Sequence, residues 1–152
     1  LGKIGIQPMV NEQRLLEQEN IRIYGAEIDR EYYKRFTIPD MKREYLTEIM
    51  GEPVVENYVV LLAHNPDFFP VYAGWGADLV LSGHVHGGMV RIPGWKGVVS
   101  PNVRLFPQYD GGKFEEGKST MILSRGLGMH TIPIRLFNPG ELIVIDFMKE
   151  QE

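Results

Sequence analysis

The chain has 152 residues, 43% hydrophobic and 24% charged, with a net charge of -4 and no cysteine. That length suits one domain with a buried core. The acidic balance argues against a general nucleic-acid binder, and the missing cysteines exclude a disulfide framework and a thiolate metal site. No apolar run approaches the roughly 18 residues of a membrane span, and no charged start followed by an apolar stretch marks a signal peptide, so the compartment stays open.

In chain order, Ile21-Arg22-Ile23-Tyr24-Gly25 alternates and stops at glycine, a short strand signal. Charge is dense from 27 to 56. Within that stretch 40–50 predicts a helix with Met41, Tyr45, Leu46 and Ile49 on one face, ended by Gly51 and Pro53. Tyr58-Val59-Val60-Leu61-Leu62-Ala63 is a continuous apolar run, expected as a strand buried on both faces of a parallel sheet. Asn65-Pro66-Asp67 predicts a helix start, with Asn65 as cap, although Pro70 moves the helix proper toward itself. A second apolar strand is predicted over 77–83. The twelve residues 65–76 between the two strands are about the minimum for a βαβ crossover. Beyond it, 87–117 reads as loop-rich with 89–92 extended, and later strands are expected at 119–124 and 141–147, with a weaker one at 131–137.

Each of the two central strands ends in histidine, at His64 and His84. If they form a βαβ unit they run in parallel, and their C-terminal ends share the sheet edge where open α/β folds bind ligands. His86 follows two residues after His84, and in extended backbone positions i and i+2 face one side, so three imidazoles can converge. Imidazole suits Zn, Mn-class or Fe ions, and Gly83, Gly87 and Gly88 permit a tight turn around the pair. His130 either lines the same edge or is an ordinary loop histidine, and Arg91, Lys96, Arg104 and Arg125 are either phosphate contacts or solvated surface charges. Among these Arg125, followed by Gly126 and Gly128, has the best placement. Asp67, Asp78 and Asp110 read as a cap, a strand-start residue and a turn residue.

Gly83-His84-Val85-His86, taken with Ala63-His64-Asn65-Pro66 upstream, resembles the last two motifs of the calcineurin-like metallophosphoesterases. The continuation through Ser124-Arg125-Gly126-Leu127-Gly128, Arg135-Leu136, Asn138-Pro139 and Glu141-Leu142 is similar to one branch of that family, the phosphohydrolases related to a bacterial cell-wall-associated enzyme. Met89 stands where that branch often has Gln. The resemblance covers about 21–147. It implies half of a four-layer α/β-β/α sandwich with mixed sheets, forming a single unit over 1–152 that corresponds to the C-terminal portion of the phosphoesterase domain.

It also implies hydrolysis of phosphate esters at a dinuclear centre of two divalent ions (Mn, Fe or Zn), a metal-bridging hydroxide attacking phosphorus. His64 and His84 would bind one ion and His86 the other. Arg125, His130 and Arg91, from the reading of the residues alone, are the candidate substrate contacts. The family's earlier motifs, Asp-x-His, Gly-Asp and Gly-Asn-His, are absent from this sequence. The expectation is therefore that the N-terminal half of the domain, with its catalytic histidine, lies outside this chain, which begins at Leu1 without Met. Alone the chain would be weakly active or inactive, and a homodimer or a complementary N-terminal chain would cover its open sheet. The expected partner is a phosphoester and not a nucleic acid. Two other readings remain: a non-catalytic scaffold or regulatory module with relic histidines, and a cupin-like oxygenase. Val90 and Arg91, where a cupin site wants Glu, count against the latter.

Overall fold

The apolar runs around Tyr24, Leu61 and Val80 form neighbouring strands, and they pair in parallel. The computed structural model describes residues 5–34, 37–88, 90–92, 97–99, 106–128 and 135–148. Its strands are β1 Glu12–Leu16, β2 Ile21–Ala26, β3 Tyr58–Ala63, β4 Leu79–Ser82, β5 Val90–Arg91, β6 Gly97–Val99, β7 Gly112–Glu116 and β8 Ser119–Leu123, and its helices are α1 Arg43–Met50 and α2 Phe69–Trp75. Six strands make one sheet in the order β1-β2-β3-β4-β8-β7, and β5 and β6 form a separate ribbon. The centre of the large sheet, β2-β3-β4-β8, is parallel, and hairpins add antiparallel β1 and β7 at its edges. The parallel pairing is the one expected from the strand-histidine units, and the mixed α/β sheet is the one the family resemblance implies.

Alternation along β3 divides the molecule. Val59, Leu61 and Ala63 point to one face, where they join Tyr24, Val80, Met121 and Leu123 and the helical residues Leu46, Met50, Phe69, Tyr72 and Trp75 in the main core. Trp75 anchors it: its indole N–H donates to the Gly51 carbonyl (3.1 Å), and its ring meets Tyr24 edge-on at 5.0 Å. Among the described residues the opposite face carries a smaller cluster, Ile21, Val60 and Leu79, flanked by Ile23, Leu81 and Ile122. There Tyr58 and Leu62 are 43% and 37% exposed, which corrects the expectation that β3 is buried on both sides. Both helices pack on the first face, with α1 against β2 and α2, and α2 against β7 and β8.

The second face is met instead by residues 141–148. Ile143 and Ile145 line a cleft with Leu81 and Ile122, and Phe147 lies 6.0 Å from Tyr58. The strand expected at 141–147 does not form. Its alternation is real, since Ile143 and Ile145 are half-buried while Leu142 and Val144 are exposed. A ladder, however, needs a neighbouring strand edge, and this stretch lies against a sheet face; the Glu141 N–H donates to the Gly126 carbonyl (3.1 Å).

Other boundaries shift for local reasons. α1 starts at Arg43 because Lys42 is extended (φ -103°, ψ 154°), yet Met41 still reaches the core. Gly51, at φ 81°, ends the helix with its N–H on the Thr47 carbonyl, as Gly51 and Pro53 foretell. Asn65 caps as expected, its side-chain oxygen accepting the Asp67 N–H at 3.1 Å. A 3-10 turn over Pro66–Phe68 then precedes α2, which puts Pro70 in the first turn of the helix, where its missing N–H costs nothing. Asp78 accepts the Val59 N–H at 2.7 Å and ties β4 to the start of β3. Among the described residues no helix is long and apolar enough to cross a membrane.

Candidate metal centre

The register of β3 and β4, with Leu62 opposite Leu81, brings both C-terminal ends to one edge of the sheet. Two bonds then lock the strand ends together. The Ser82 hydroxyl donates to the Ala63 carbonyl at 2.6 Å, and the Gly83 N–H donates to the His64 carbonyl at 3.2 Å. Gly83 also leaves room for a ring, since a Cβ there would lie 3.4 Å from His64 Nδ1. The rings of His64 and His84 sit 5.2 Å apart, centroid to centroid, at 74°. Tyr33 closes the cluster, 5.2 Å from His84 and 6.4 Å from His64.

His84 and His86 are not in extended backbone. Their φ values are 55° and 48°, and Gly87 and Gly88 follow at 72° and 85°. The i and i+2 argument therefore gives way to a tight left-handed turn. Val85 is 5% exposed and joins the main core, so it anchors the turn while the two histidines flank it. His86 Nδ1 lies 3.5 Å from Arg135 Nη2, and a Cβ on Gly126 would come within 3.8 Å of that nitrogen. Among the described residues no three His, Cys, Asp or Glu side chains gather closely enough to hold one ion. His64 and His84 make a close pair, and His86 is near enough to bear electrostatically on His64.

Burial holds the His64 imidazole below its ordinary pKa, and the charge of His86 adds to the effect. His64 is thus neutral at physiological pH, with a lone pair to offer a metal. Burial pushes the Tyr33 phenol upward, helped by the Glu27 carboxylate, so it remains a protonated hydroxyl. These groups fit part of a ligand set for a divalent ion: neutral imidazoles suit Zn, Mn-class or Fe ions, and among the described residues no Asp or Glu completes a group of three with them.

The other expected site residues are placed differently. Arg125 is engaged with Glu141: its guanidinium bonds one carboxylate oxygen (2.6 Å) and its backbone N–H the other (3.1 Å). That bond holds the Glu141 carboxyl below its usual range and raises Arg125. Arg91 pairs with Asp110 at 3.0 Å. Asp110 is buried and also accepts the Gly97 N–H at 2.6 Å, a tie between two loop strands where the sequence suggests only a turn. His130, Lys96, Arg104 and Met89 lie outside the described residues, as does 131–134 of the weak strand; its remainder gives an isolated bridge between Leu136 and Val90.

That bridge, with the Arg91 N–H on the Leu136 carbonyl at 3.0 Å, carries residues 135–138 to the histidine turn. Asn138, 2% exposed, donates from Nδ2 to the carbonyls of His86 (2.6 Å) and Gly88 (2.7 Å). Arg135 donates to the carbonyls of Arg125 (2.8 Å) and Gly128. Neither residue, nor Tyr33, is a site candidate from sequence, because nothing in their spacing ties them to positions some 50 residues away. Arg135 and Asn138 enter the sequence reading only through the family resemblance, in Arg135-Leu136 and Asn138-Pro139.

No family model matches the chain, and no solved structure matches it. Three curated proteins do. One is an uncharacterized metallophosphoesterase of Bacillus subtilis, YkuE, 31% identical over 87 residues, which are 57% of this chain and 30% of that protein. A second is an uncharacterized metallophosphoesterase of Aquifex aeolicus, 32% identical over 100 residues (64% and 36%). The third is the UDP-2,3-diacylglucosamine pyrophosphatase LpxG of Chlamydia muridarum, 30% identical over 97 residues (60% and 29%). The chain thus spans about a third of the length of the curated relatives it matches. Over the matched stretch, this chain is similar to two proteins named as metallophosphoesterases and to one named as a pyrophosphatase.

Proposed function

We propose that this chain contributes imidazole ligands to a metal-dependent hydrolase of phosphate esters. The observation that carries the reading is the pairing of His64 and His84, 5.2 Å apart on the ends of adjacent parallel strands. In the proposed centre these two hold one divalent ion and His86 contributes to a second. When bound, a pair of such ions (Mn, Fe or Zn) neutralises charge on phosphoryl oxygens and lowers the pKa of water. The residues of the chain orient and shield. His64 presents a neutral nitrogen, Tyr33 covers the pair with a protonated phenol, and the left-handed turn aims His86 from the far side of Val85. The relatives' names support phosphoester hydrolysis in general, and the Chlamydia protein, by name a pyrophosphatase, brings phosphoanhydrides into range.

Three neutral imidazoles do not offset two dications. With no carboxylate joined to them among the described residues, the chain alone binds metal weakly and turns over little. A complementary chain or a second copy then supplies acidic ligands, and it covers the sheet face on which Tyr58 and Leu62 are exposed. The absence of a three-ligand cage among the described residues also favours a second reading, a non-catalytic module that retains histidines without metal.

Calorimetric titration with Mn2+ and Zn2+ separates the two readings. Metal binding is expected in the wild-type chain and should weaken at least tenfold in His64→Ala and in His84→Asn. Slow Mn2+-dependent hydrolysis of an aryl phosphodiester should fall in the same variants. A chain that takes up neither ion at millimolar concentration and cleaves nothing sinks the enzymatic reading.

A further inference from the structure

We infer that Asn138 is a positioning residue for the histidine turn, a role that rests on the metal-binding reading above. Four of the five residues from His84 to Gly88 have positive φ. Two of them, His84 and His86, carry a Cβ that disfavours this conformation. Within the turn the Val85 N–H reaches the Gly83 carbonyl (2.6 Å) and the Gly88 N–H reaches the Val85 carbonyl (2.8 Å). These bonds close the turn but leave the carbonyls of His86 and Gly88 to be satisfied from outside. Both bonds donated by the Asn138 carboxamide go to those two carbonyls.

The amide's orientation is fixed by its partners. Two carbonyls can only accept, so the NH2 group faces the turn and Oδ1 faces away from it. Oδ1 is buried without a hydrogen-bond partner among the described residues. An amide held with its acceptor idle is there for its donors. Oδ1 instead packs beside Gly87, where a Cβ would lie only 2.7 Å from it. The carboxamide therefore fits this turn only in its left-handed form with glycine at 87. By gripping the peptides on either side of Gly87, it fixes the direction in which the His86 ring leaves the backbone.

The test uses Co2+ as the probe and Asn138→Asp as the perturbation, an isosteric change that removes both donors. Partners that orient metal ligands typically change metal affinity about 10- to 100-fold. The expected result is a loss of Co2+ affinity in that range with an altered ligand-field absorption and a retained far-ultraviolet dichroism spectrum. Amide and Cα shifts of residues 84–88 in the metal-free protein should move at the same time. If Asn138→Asp does not fold, Asn138→Ala, which adds no charge, is read in its place.

Gly117→Ala, at the tip of the β7–β8 hairpin (φ 59°, nothing near), is the control for global destabilisation and should leave the Co2+ spectrum unchanged. Wild-type affinity and spectrum in the Asn138 variants, or an equal loss in Gly117→Ala, overturns the assignment. If the wild-type chain binds no Co2+, the metal reading fails by itself. The positioning role is then decided by the shifts of 84–88 alone, and unchanged shifts refute it.

Discussion

Replacing Gly87 by alanine probes the centre through its backbone. Gly87 sits at φ 72°, and an added Cβ would lie 2.7 Å from Arg125 Cγ, 2.8 Å from Arg125 Cδ and 2.7 Å from Asn138 Oδ1. Two costs then act together. Placing a Cβ in left-handed backbone costs about 1–2 kcal/mol. Overpacking costs about 1–3 kcal/mol more, and relief is limited because Arg125 is held by Glu141 and Asn138 by two bonds to the turn. The total, about 2–5 kcal/mol, is a large share of the roughly 5–15 kcal/mol that keeps a domain folded. Gly117→Ala isolates the backbone cost, since Gly117 has a similar φ of 59° with nothing within 4 Å of the new methyl. Urea denaturation of both variants gives the comparison directly. Gly87→Ala should be the more destabilised by about 1–3 kcal/mol. A difference below about 0.5 kcal/mol, the scatter expected between independent sites, would mean that Arg125 and Asn138 do not crowd Gly87 as described.

Trp75→Ala removes the ring that joins α2 to Tyr24 and to the end of α1, and should cost about 3–5 kcal/mol in a urea or thermal melt. Ser82→Ala deletes the hydroxyl bond to the Ala63 carbonyl and should cost about 0.5–1.5 kcal/mol; hydrogen exchange at Gly83 should rise with it. The Glu141 pKa is depressed by Arg125, so its contribution is complete above the unfolded carboxylate value of about 4.3 and is lost as pH falls through the lower folded value. Urea midpoints measured from neutral pH downward should therefore show a shallower acid decline in Glu141→Gln than in the wild type.

The central strands were legible because β3 and β4 are dense apolar runs with a histidine at each end, and the topology of parallel strands then dictates which edge the rings share. What escaped were β1, β6 and β7. Every residue of β1 is exposed, so no buried face stamps a period on its sequence; hairpin pairing with β2 makes it a strand. The failure at 141–147 runs the other way: alternation reports which side chains face inward and is silent on whether a hydrogen-bonding neighbour exists. At the centre, residue types pointed to His64 and His84, but the left-handed turn and its amide clamp arise from a contact across about 50 residues. Arg91 and Arg125 looked available for phosphate because their carboxylate partners, Asp110 and Glu141, are likewise distant in sequence.

The backbone at His84 and His86 also governs how a mutational library of this turn will read. Branched replacements such as Val or Ile will be rejected at both positions for conformational reasons, whether or not the imidazoles do chemistry, while Asn and Asp fit left-handed backbone most easily after glycine. Tolerance scores averaged over all amino acids would therefore report the shape of the chain. The informative signal is the contrast between His and Asn at each position, where geometry is held nearly constant and only the imidazole is withdrawn.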